Sequence, residues 1–159
     1  MGSADSLRNV HLAFRTAVFP AVFASMVGGR FVVRLHMTES IICRRAFEFA
    51  VRTVKLCEQM AARGFGARHI AHQLIRCGTS IGANAEEAQE GQSKADYIAK
   101  MCVSSKEARE AAYWLRLGIA ISSVKCSEVE WELKEANELR FMIRAAIRTA
   151  RSSTDRRRN

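Results

Sequence analysis

The sequence has 159 residues, of which 48% are hydrophobic and 26% charged, and Pro20 is its single proline. This composition, rich in Ala, Glu, Lys, Arg and Leu, predicts one folded all-α domain. The formal net charge is +9, but the two termini hold most of the excess. That distribution argues against a broad basic nucleic-acid-binding face on the folded body.

The cysteines are too scattered for a disulfide framework or a zinc site. Their number is odd and no two form a Cys-x-x-Cys pair. Free thiols in helices fit a reducing compartment, so we expect a cytoplasmic protein. The five residues are Cys43, Cys57, Cys77, Cys102 and Cys126.

Residues 1–37 differ from the rest of the chain and are predicted to form a poorly structured N-terminal extension. The apolar run at 16–27 is too short to span a bilayer, so no membrane association is expected. One interpretation of this run is a signal peptide. The favoured interpretation is that Met37 is the true start and that the upstream residues come from an over-extended reading frame.

Apolar periodicity predicts four helices after Met37. The first spans roughly residues 40–63 and ends at Gly64-Phe65-Gly66, and the second spans roughly residues 67–90. The third begins behind Ser93 as N-cap and ends near residue 121. The fourth begins behind Ser127 and ends near residue 150.

Each predicted helix has an apolar stripe that is expected to face a common core. On the first helix the stripe is Phe47, Ala50, Val54, Cys57 and Ala61, opposite Arg44, Glu48, Arg52 and Lys55. On the third it is Ile98, Met101, Ser105, Ala108, Ala112, Leu115 and Ile119. On the fourth it is Val129, Leu133, Ala136, Leu139, Ile143, Ile147 and Ala150.

Short connections force consecutive helices to lie antiparallel. Residues 38–150 are therefore predicted to form an up-down-up-down four-helix bundle, and residues 151–159 a basic disordered tail.

The sequence contains no motif of a known enzyme class. A Walker loop needs Lys-Ser/Thr after its last glycine, but Ala83 follows Gly82, and no third glycine follows Gly64 and Gly66 at dinucleotide-binding spacing. A ferritin-like di-iron site needs two Glu-x-x-His motifs, which are absent. We therefore expect no enzyme activity, cofactor, metal or small-molecule substrate.

Several polar residues and two cysteines of the first two helices have a simpler interpretation than a catalytic or ligand-binding role. His69 and His72 could share a metal, but the simpler interpretation is one partly exposed and one packed histidine. Glu86, Glu87 and Glu90 are expected to form a solvated face, and Cys57 and Cys77 to be small core side chains. For Ser80 and Asn84 a ligand-binding role stays open as the less favoured alternative.

The glycines of the second helix need a physical reason, because an interior glycine destabilises a helix by roughly 1 kcal/mol relative to alanine. Gly78 and Gly82 are four residues apart and share one face, beside Ala71. Such a strip of small residues lets a neighbouring backbone approach closely. We predict that Gly78, Gly82 and Ala71 form a helix-packing surface.

The second half of the third helix is apolar on its outer side as well. Trp114, Leu117 and Ile121 lie opposite the predicted core stripe, and Tyr113 lies to one side. An exposed apolar patch of this kind is typical of a subunit interface. The alternative is that the N-terminal segment or residues 122–127 fold over the patch.

Three stretches resemble one known family: FEFAVRTVKLCEQM (47–60), GTSIGANAEEAQ (78–89) and SKADYIAKMCVSSKEAREAAYWLRL (93–117). They are similar to the four-helix-bundle proteins encoded by intervening sequences in bacterial 23S ribosomal RNA genes. The resemblance covers roughly residues 40–150. It implies a cytoplasmic bundle that assembles into a homopentameric ring, without an established enzyme activity or molecular role.

The favoured function is therefore a non-enzymatic, self-assembling protein. The alternative is an accessory protein that binds RNA or DNA through basic surface and tail. The residues available for that contact are Arg151, Arg156, Arg157 and Arg158. A small-molecule enzyme ranks third, because no catalytic constellation supports it.

Overall fold

The computed structural model describes the backbone of residues 22–27, 30–35 and 40–155, and the side chains of residues 40–152. The chain divides into two units, Met1–Glu39 and Ser40–Asn159.

The first unit contains an antiparallel pair of strands, β1 (Val22–Val27) and β2 (Arg30–Leu35). Val22 lies opposite Leu35 and Val27 opposite Arg30. Residues 22–27 and 30–35 thus form strands where the sequence predicts a poorly structured extension, because runs rich in valine and phenylalanine form strands readily. Met37, the predicted start, lies outside the described residues.

Four helices make up the described part of the second unit, which confirms the predicted all-α four-helix bundle. They are α1 (Ile41–Ala61), α2 (Phe65–Gln89), α3 (Lys94–Ala120) and α4 (Cys126–Asp155). Consecutive helices pack against each other, and α1 and α4 close the bundle.

The helix ends follow local chemistry. Ser93 caps α3 as predicted, with its Oγ accepting a hydrogen bond from the Asp96 backbone N–H at 3.1 Å. Gly64 has a φ of 125°, a conformation that favours glycine, so one residue turns the chain and α2 begins at Phe65. Residues 65–66, predicted to end the first helix, therefore belong to the second.

The last helix is longer than predicted. No glycine or proline interrupts the sequence after residue 150, and the helix continues to Asp155. Arg151, which the sequence places in a disordered tail, is thus an exposed helical residue. Arg156, Arg157 and Arg158 lie outside the described residues.

The core lies between the four helices and consists of large apolar side chains with less than 2% of their surface exposed. They are Phe49, Met60, Leu74, Ile81, Met101, Leu115, Val129, Leu139 and Ile143. Cys57 and Cys77 are buried with them, as predicted.

The face of α1 that meets the core is not the predicted one. Phe47 is 39% exposed, whereas Phe49 is fully buried. The buried residues are Ile42, Cys43, Ala46, Phe49, Thr53, Leu56, Cys57 and Met60. Apolar residues occur around most of α1, so periodicity alone allows two orientations of the helix about its axis. The close contact with Gly78 and Gly82 of α2 selects one of them.

The stripes of α3 and α4 needed smaller corrections. Ser104 is buried rather than Ser105, because its Oγ donates a hydrogen bond to the Ile81 carbonyl oxygen at 2.7 Å. On α4, Leu133 and Ala150 are only half-buried, while Glu132 and Glu135 are buried.

The glycines of α2 lie against α1 at small residues. A Cβ added to Gly78 would lie 2.7 Å from Thr53 Cγ2, inside van der Waals contact. A Cβ added to Gly82 would lie 3.6 Å from both the backbone carbonyl carbon and the Cβ of Ala46, an ordinary contact. Ala71 is buried in the same helix. The two glycines therefore differ: Gly78 has no room for a methyl group and Gly82 has room for one.

The glycine positions yield a prediction on stability. Gly82→Ala should raise the free energy of unfolding by about 0.5–1 kcal/mol, because helix propensity improves without a clash. Gly78→Ala should lower it by about 1–3 kcal/mol, because overpacking against the stiff Thr53 side chain outweighs that gain. Urea denaturation followed by circular dichroism measures both.

The double variant Gly78→Ala/Thr53→Ala is the control for this clash. It removes the Thr53 methyl group together with a buried hydroxyl that has no hydrogen-bond partner in the described part of the chain. We expect it to be more stable than Gly78→Ala alone. Equal stability of the two single alanine variants at positions 78 and 82 would contradict the close contact.

Candidate interaction surface

An apolar surface lies at the end of the bundle where α1 connects to α2 and α3 to α4. Phe65, the first residue of α2, is 88% exposed. Tyr113 and Ile121, at the end of α3, are each 49% exposed. A Cβ added to Gly66 would lie 3.5 Å from Ile121 Cδ1, so the start of α2 and the end of α3 are in contact here. We call Phe65, Tyr113, Trp114, Leu117 and Ile121 the end patch.

Two of the predicted interface residues are less exposed than the sequence suggests. Trp114 and Leu117 are half-buried and pack against the core. Helix α3 lies between α2 and α4, so its neighbours cover more than one narrow stripe of its surface. The end patch therefore presents Phe65, Tyr113 and Ile121 to solvent, whereas Trp114 and Leu117 are half-buried.

Trp114 is held in place by polar and aromatic contacts. Its Nε1 donates a hydrogen bond to Glu110 Oε1 at 3.1 Å, and the same oxygen accepts from Arg76 of α2. The ring centroids of Trp114 and His69 lie 6.1 Å apart in an edge-on arrangement, and Tyr113 packs edge-on at 5.1 Å. The aromatic part of the end patch is thus preorganised across α2 and α3.

Phe65 is the residue of this surface that the sequence analysis missed. Gly64-Phe65-Gly66 is predicted as a helix terminator, which gives Phe65 no defined neighbour. The sequence feature that could have identified Phe65 is a large apolar side chain in a short connection, directly after Gly64, which tolerates positive φ.

The candidate catalytic and metal-binding residues do not come together. His69 and His72 are both exposed, whereas one was predicted to be packed. Within residues 40–152, no group of three or more His, Cys, Asp or Glu side chains could hold a metal ion. Burial raises the pKa of the Cys57 and Cys77 thiols to about 12, which keeps them protonated and unreactive near neutral pH.

The polar residues near the end of α2 are accounted for by contacts within the bundle. Asn84 Nδ2 donates a hydrogen bond to the Ser80 carbonyl oxygen at 2.8 Å, one turn earlier in the helix. Glu86, Glu87 and Glu90 are exposed, as predicted, and Glu87 forms an ion pair with Lys100 of α3.

An arginine clamp supports the end of the bundle that carries the end patch. Arg63 donates two hydrogen bonds to the Glu128 carboxylate, at 2.9 and 3.0 Å, and one to the Ser123 carbonyl oxygen at 3.1 Å. Glu128 also accepts from the Lys125 backbone N–H at 2.7 Å. The clamp ties the end of α1 to the connection between α3 and α4.

Two further ion pairs join α1 to the N-terminal half of α4. Arg45 contacts both oxygens of the buried Glu135, at 2.6 and 2.7 Å, and Arg52 contacts the buried Glu132 at 2.9 Å. Arg52 also lies 4.1 Å from the ring centroid of Trp131. Arg52, predicted to be on a solvated face, is thus a contact residue between helices.

The four packed helices identify this chain as a four-helix-bundle protein. Residues 38–145 match the model of the 23S rRNA-intervening sequence proteins. The chain belongs to that family, as the sequence resemblance predicted.

A solved relative supports the same assignment. The chain is similar to a protein of unknown function from the S23 ribosomal protein family of Bacteroides thetaiotaomicron, known from a crystal structure. The two are 34% identical, the match covers 67% of this chain and 98% of that chain, and the TM-score is 0.63. No curated protein matches the chain. Among the described residues, no helix has the length and apolar character needed to cross a membrane.

The arginine clamp predicts a pH dependence of stability. Hydrogen bonds from Arg63, and then from the Lys125 backbone, lower the pKa of Glu128 from 4.5 to about 2. Because the folded-state pKa lies below the unfolded-state value, the clamp stabilises the fold fully above the unfolded pKa. That stabilisation is lost as the pH falls through the folded pKa of about 2.

We expect Glu128→Gln to melt at a lower temperature than the wild type above about pH 5, and the difference to shrink progressively toward about pH 2. Thermal melts by circular dichroism measure it. Glu130→Gln is the matched control, because Glu130 is exposed on the same turn and forms none of the described ion pairs. A constant difference for Glu128→Gln down to pH 2 would contradict the assignment.

Proposed function

We propose that this protein is a non-enzymatic, self-assembling bundle whose subunits associate through the end patch. The observation that carries this proposal is the exposure of Phe65, Tyr113 and Ile121 on adjoining parts of α2 and α3. Adjacent exposed apolar residues of this size are typical of contacts between proteins.

The energetics favour association at this surface. Burial of a large apolar side chain contributes roughly 1.5–3 kcal/mol relative to full exposure. About half of the surface of Tyr113 and Ile121 is already buried within the subunit, so their gain on association is smaller. Phe65 is 88% exposed and retains nearly the full gain. Trp114 is fixed by Glu110 and His69, so little side-chain entropy is lost when a partner covers it.

The geometry of assembly follows from where the partner surface lies. If the end patch contacts a different face of the next subunit, the contact repeats head to tail until a ring closes. The resemblance to the family favours five copies in a reducing, cytoplasmic environment. The alternative, nucleic-acid binding by the tail, stays a prediction, since Arg151 is the one member of that set that the structure describes.

Sedimentation of a charged double variant tests the proposal. We expect the wild-type chain to sediment as an oligomer at micromolar concentration, and Phe65→Glu/Ile121→Glu to sediment as a helical monomer. The mutated side chains are exposed within the subunit, so the fold should tolerate the change, and circular dichroism checks that it does.

Ile41→Glu is the matched control, because Ile41 is 54% exposed at the opposite end of α1. It should leave the oligomer intact. A monomeric wild type, or full assembly of the double variant, would overturn the proposal.

A further inference from the structure

The C-terminal half of α4 carries a row of arginines that the proposed assembly does not use. Arg140, Arg144, Arg148 and Arg151 follow one another at intervals of four, four and three residues. At about 100° per residue they fall within an arc of about 80° and extend over roughly 16 Å of helix. Between Glu138 and Asp155 the sequence has no acidic residue.

These arginines are not neutralised within the described part of the chain. Arg144, Arg148 and Arg151 are exposed, and none of the ion pairs between described residues includes them. Arg45 and Arg52 of α1, by contrast, each pair with a glutamate of α4. The arginines of α1 are therefore occupied by glutamates of α4. Arg144, Arg148 and Arg151 of α4 itself remain available to a partner.

Arg140 has an aromatic neighbour and an unsatisfied donor. Its guanidinium carbon lies 5.7 Å from the ring centroid of Phe141, which is 66% exposed. Its Nε is buried and has no hydrogen-bond partner among the described residues. Phe141 thus presents an exposed aromatic ring beside the arginine row.

The neighbouring helix adds to the positive charge. On α3, Glu110 pairs with Arg76 of α2, which places the acidic flank of α3 on the α2 side. Arg109, one residue earlier, lies about 100° around the helix, toward α4, and is exposed. We call Arg109, Arg140, Arg144, Arg148 and Arg151 the arginine face.

We propose that the arginine face, together with Phe141, binds single-stranded polynucleotide. The guanidinium groups would hold successive phosphates, which they match with bidentate hydrogen bonds. Phe141 would stack on an unpaired base, the arrangement that recurs in sites for single strands. This site lies on the folded helix, whereas the sequence alone pointed to the tail.

The structure disfavours the other polyanion, an acidic membrane surface. A helix that lies on a membrane inserts an apolar stripe, but the apolar side of α4 is buried in the core through Leu139, Ile143 and Ile147. Phe141 is the one large apolar side chain described as exposed on α4, and a single ring suits stacking better than membrane insertion.

Fluorescence anisotropy with the full chain tests the proposal. The probes are a labelled single-stranded RNA of about 20 nucleotides, DNA of the same sequence, the matching duplex, and vesicles containing phosphatidylserine. We expect the single strands to bind with micromolar or tighter affinity. Comparison of the affinities for RNA and DNA shows which of the two polynucleotides the site prefers.

The first variant, Arg144→Gln/Arg148→Gln, removes two phosphate contacts and retains good helix formers. We expect at least a tenfold loss of affinity and a decrease of about 1.4 in the slope of log affinity against log salt. Lys55→Gln/Arg68→Gln is the matched control, because it removes two exposed positive charges on α1 and α2. It should change affinity much less.

Two further variants locate the site. Phe141→Ala should weaken single-strand binding about tenfold and leave duplex binding nearly unchanged. In a chain that lacks residues 156–159, Arg144→Gln/Arg148→Gln should still cause the same loss of affinity for single strands. Sedimentation of the arginine variant should match the wild type, which separates this proposal from the one on assembly.

Four outcomes would overturn the proposal. They are no binding of single strands by the wild type, wild-type affinity of Arg144→Gln/Arg148→Gln, an equal loss in the Lys55→Gln/Arg68→Gln control, and binding of the vesicles but not the oligonucleotides.

Discussion

The close contact between α1 and α2 at Gly78 and Gly82 is the constraint on which the rest of the bundle depends. At Gly78 the space that a methyl group would need is filled by Thr53. At Gly82 a methyl group would touch the backbone of Ala46. The helices can approach this closely only where both present small residues. Ala46 and Thr53 must therefore face α2, which fixes the rotation of α1 about its axis.

That rotation explains the polar contacts between α1 and α4. With Phe49 in the core, Arg45 and Arg52 lie on the flank next to α4, where Glu135 and Glu132 receive them. Such partly buried pairs add little net stability compared with apolar contacts, but loss of one partner leaves a costly buried charge. They therefore favour one alignment of α1 along α4. Trp131 strengthens that choice, because it stacks on Phe49 and lies beneath Arg52.

The buried glutamates of α4 are paired with arginines of α1, and both proposed activities lie on the outside of the bundle. The end patch is apolar and lies where α2 begins and α3 ends, whereas the arginine face lies on the C-terminal half of α4. In the two proposals, hydrophobic burial would drive association at the end patch, and phosphate contacts would drive binding at the arginine face. Because the bundle is antiparallel, the C-terminal half of α4 and the start of α2 lie toward opposite ends of the subunit. On α3 the two surfaces come within one turn of each other, at Arg109 and Tyr113.

The sequence by itself determined the number of helices, their order, the Ser93 cap and the family, because periodicity, caps and short connections are local properties of the chain. It also identified Gly78 and Gly82, since a glycine within a helix needs a reason wherever it occurs. Tertiary structure alone decided which side of α1 is buried, because Phe47 and Phe49 offer two comparable apolar faces and only the contact with Gly78 and Gly82 separates them. It also decided which charges remain available. Arg52 and Arg148 are alike in sequence, but Arg52 faces Glu132 across a helix contact, and Arg148 faces solvent.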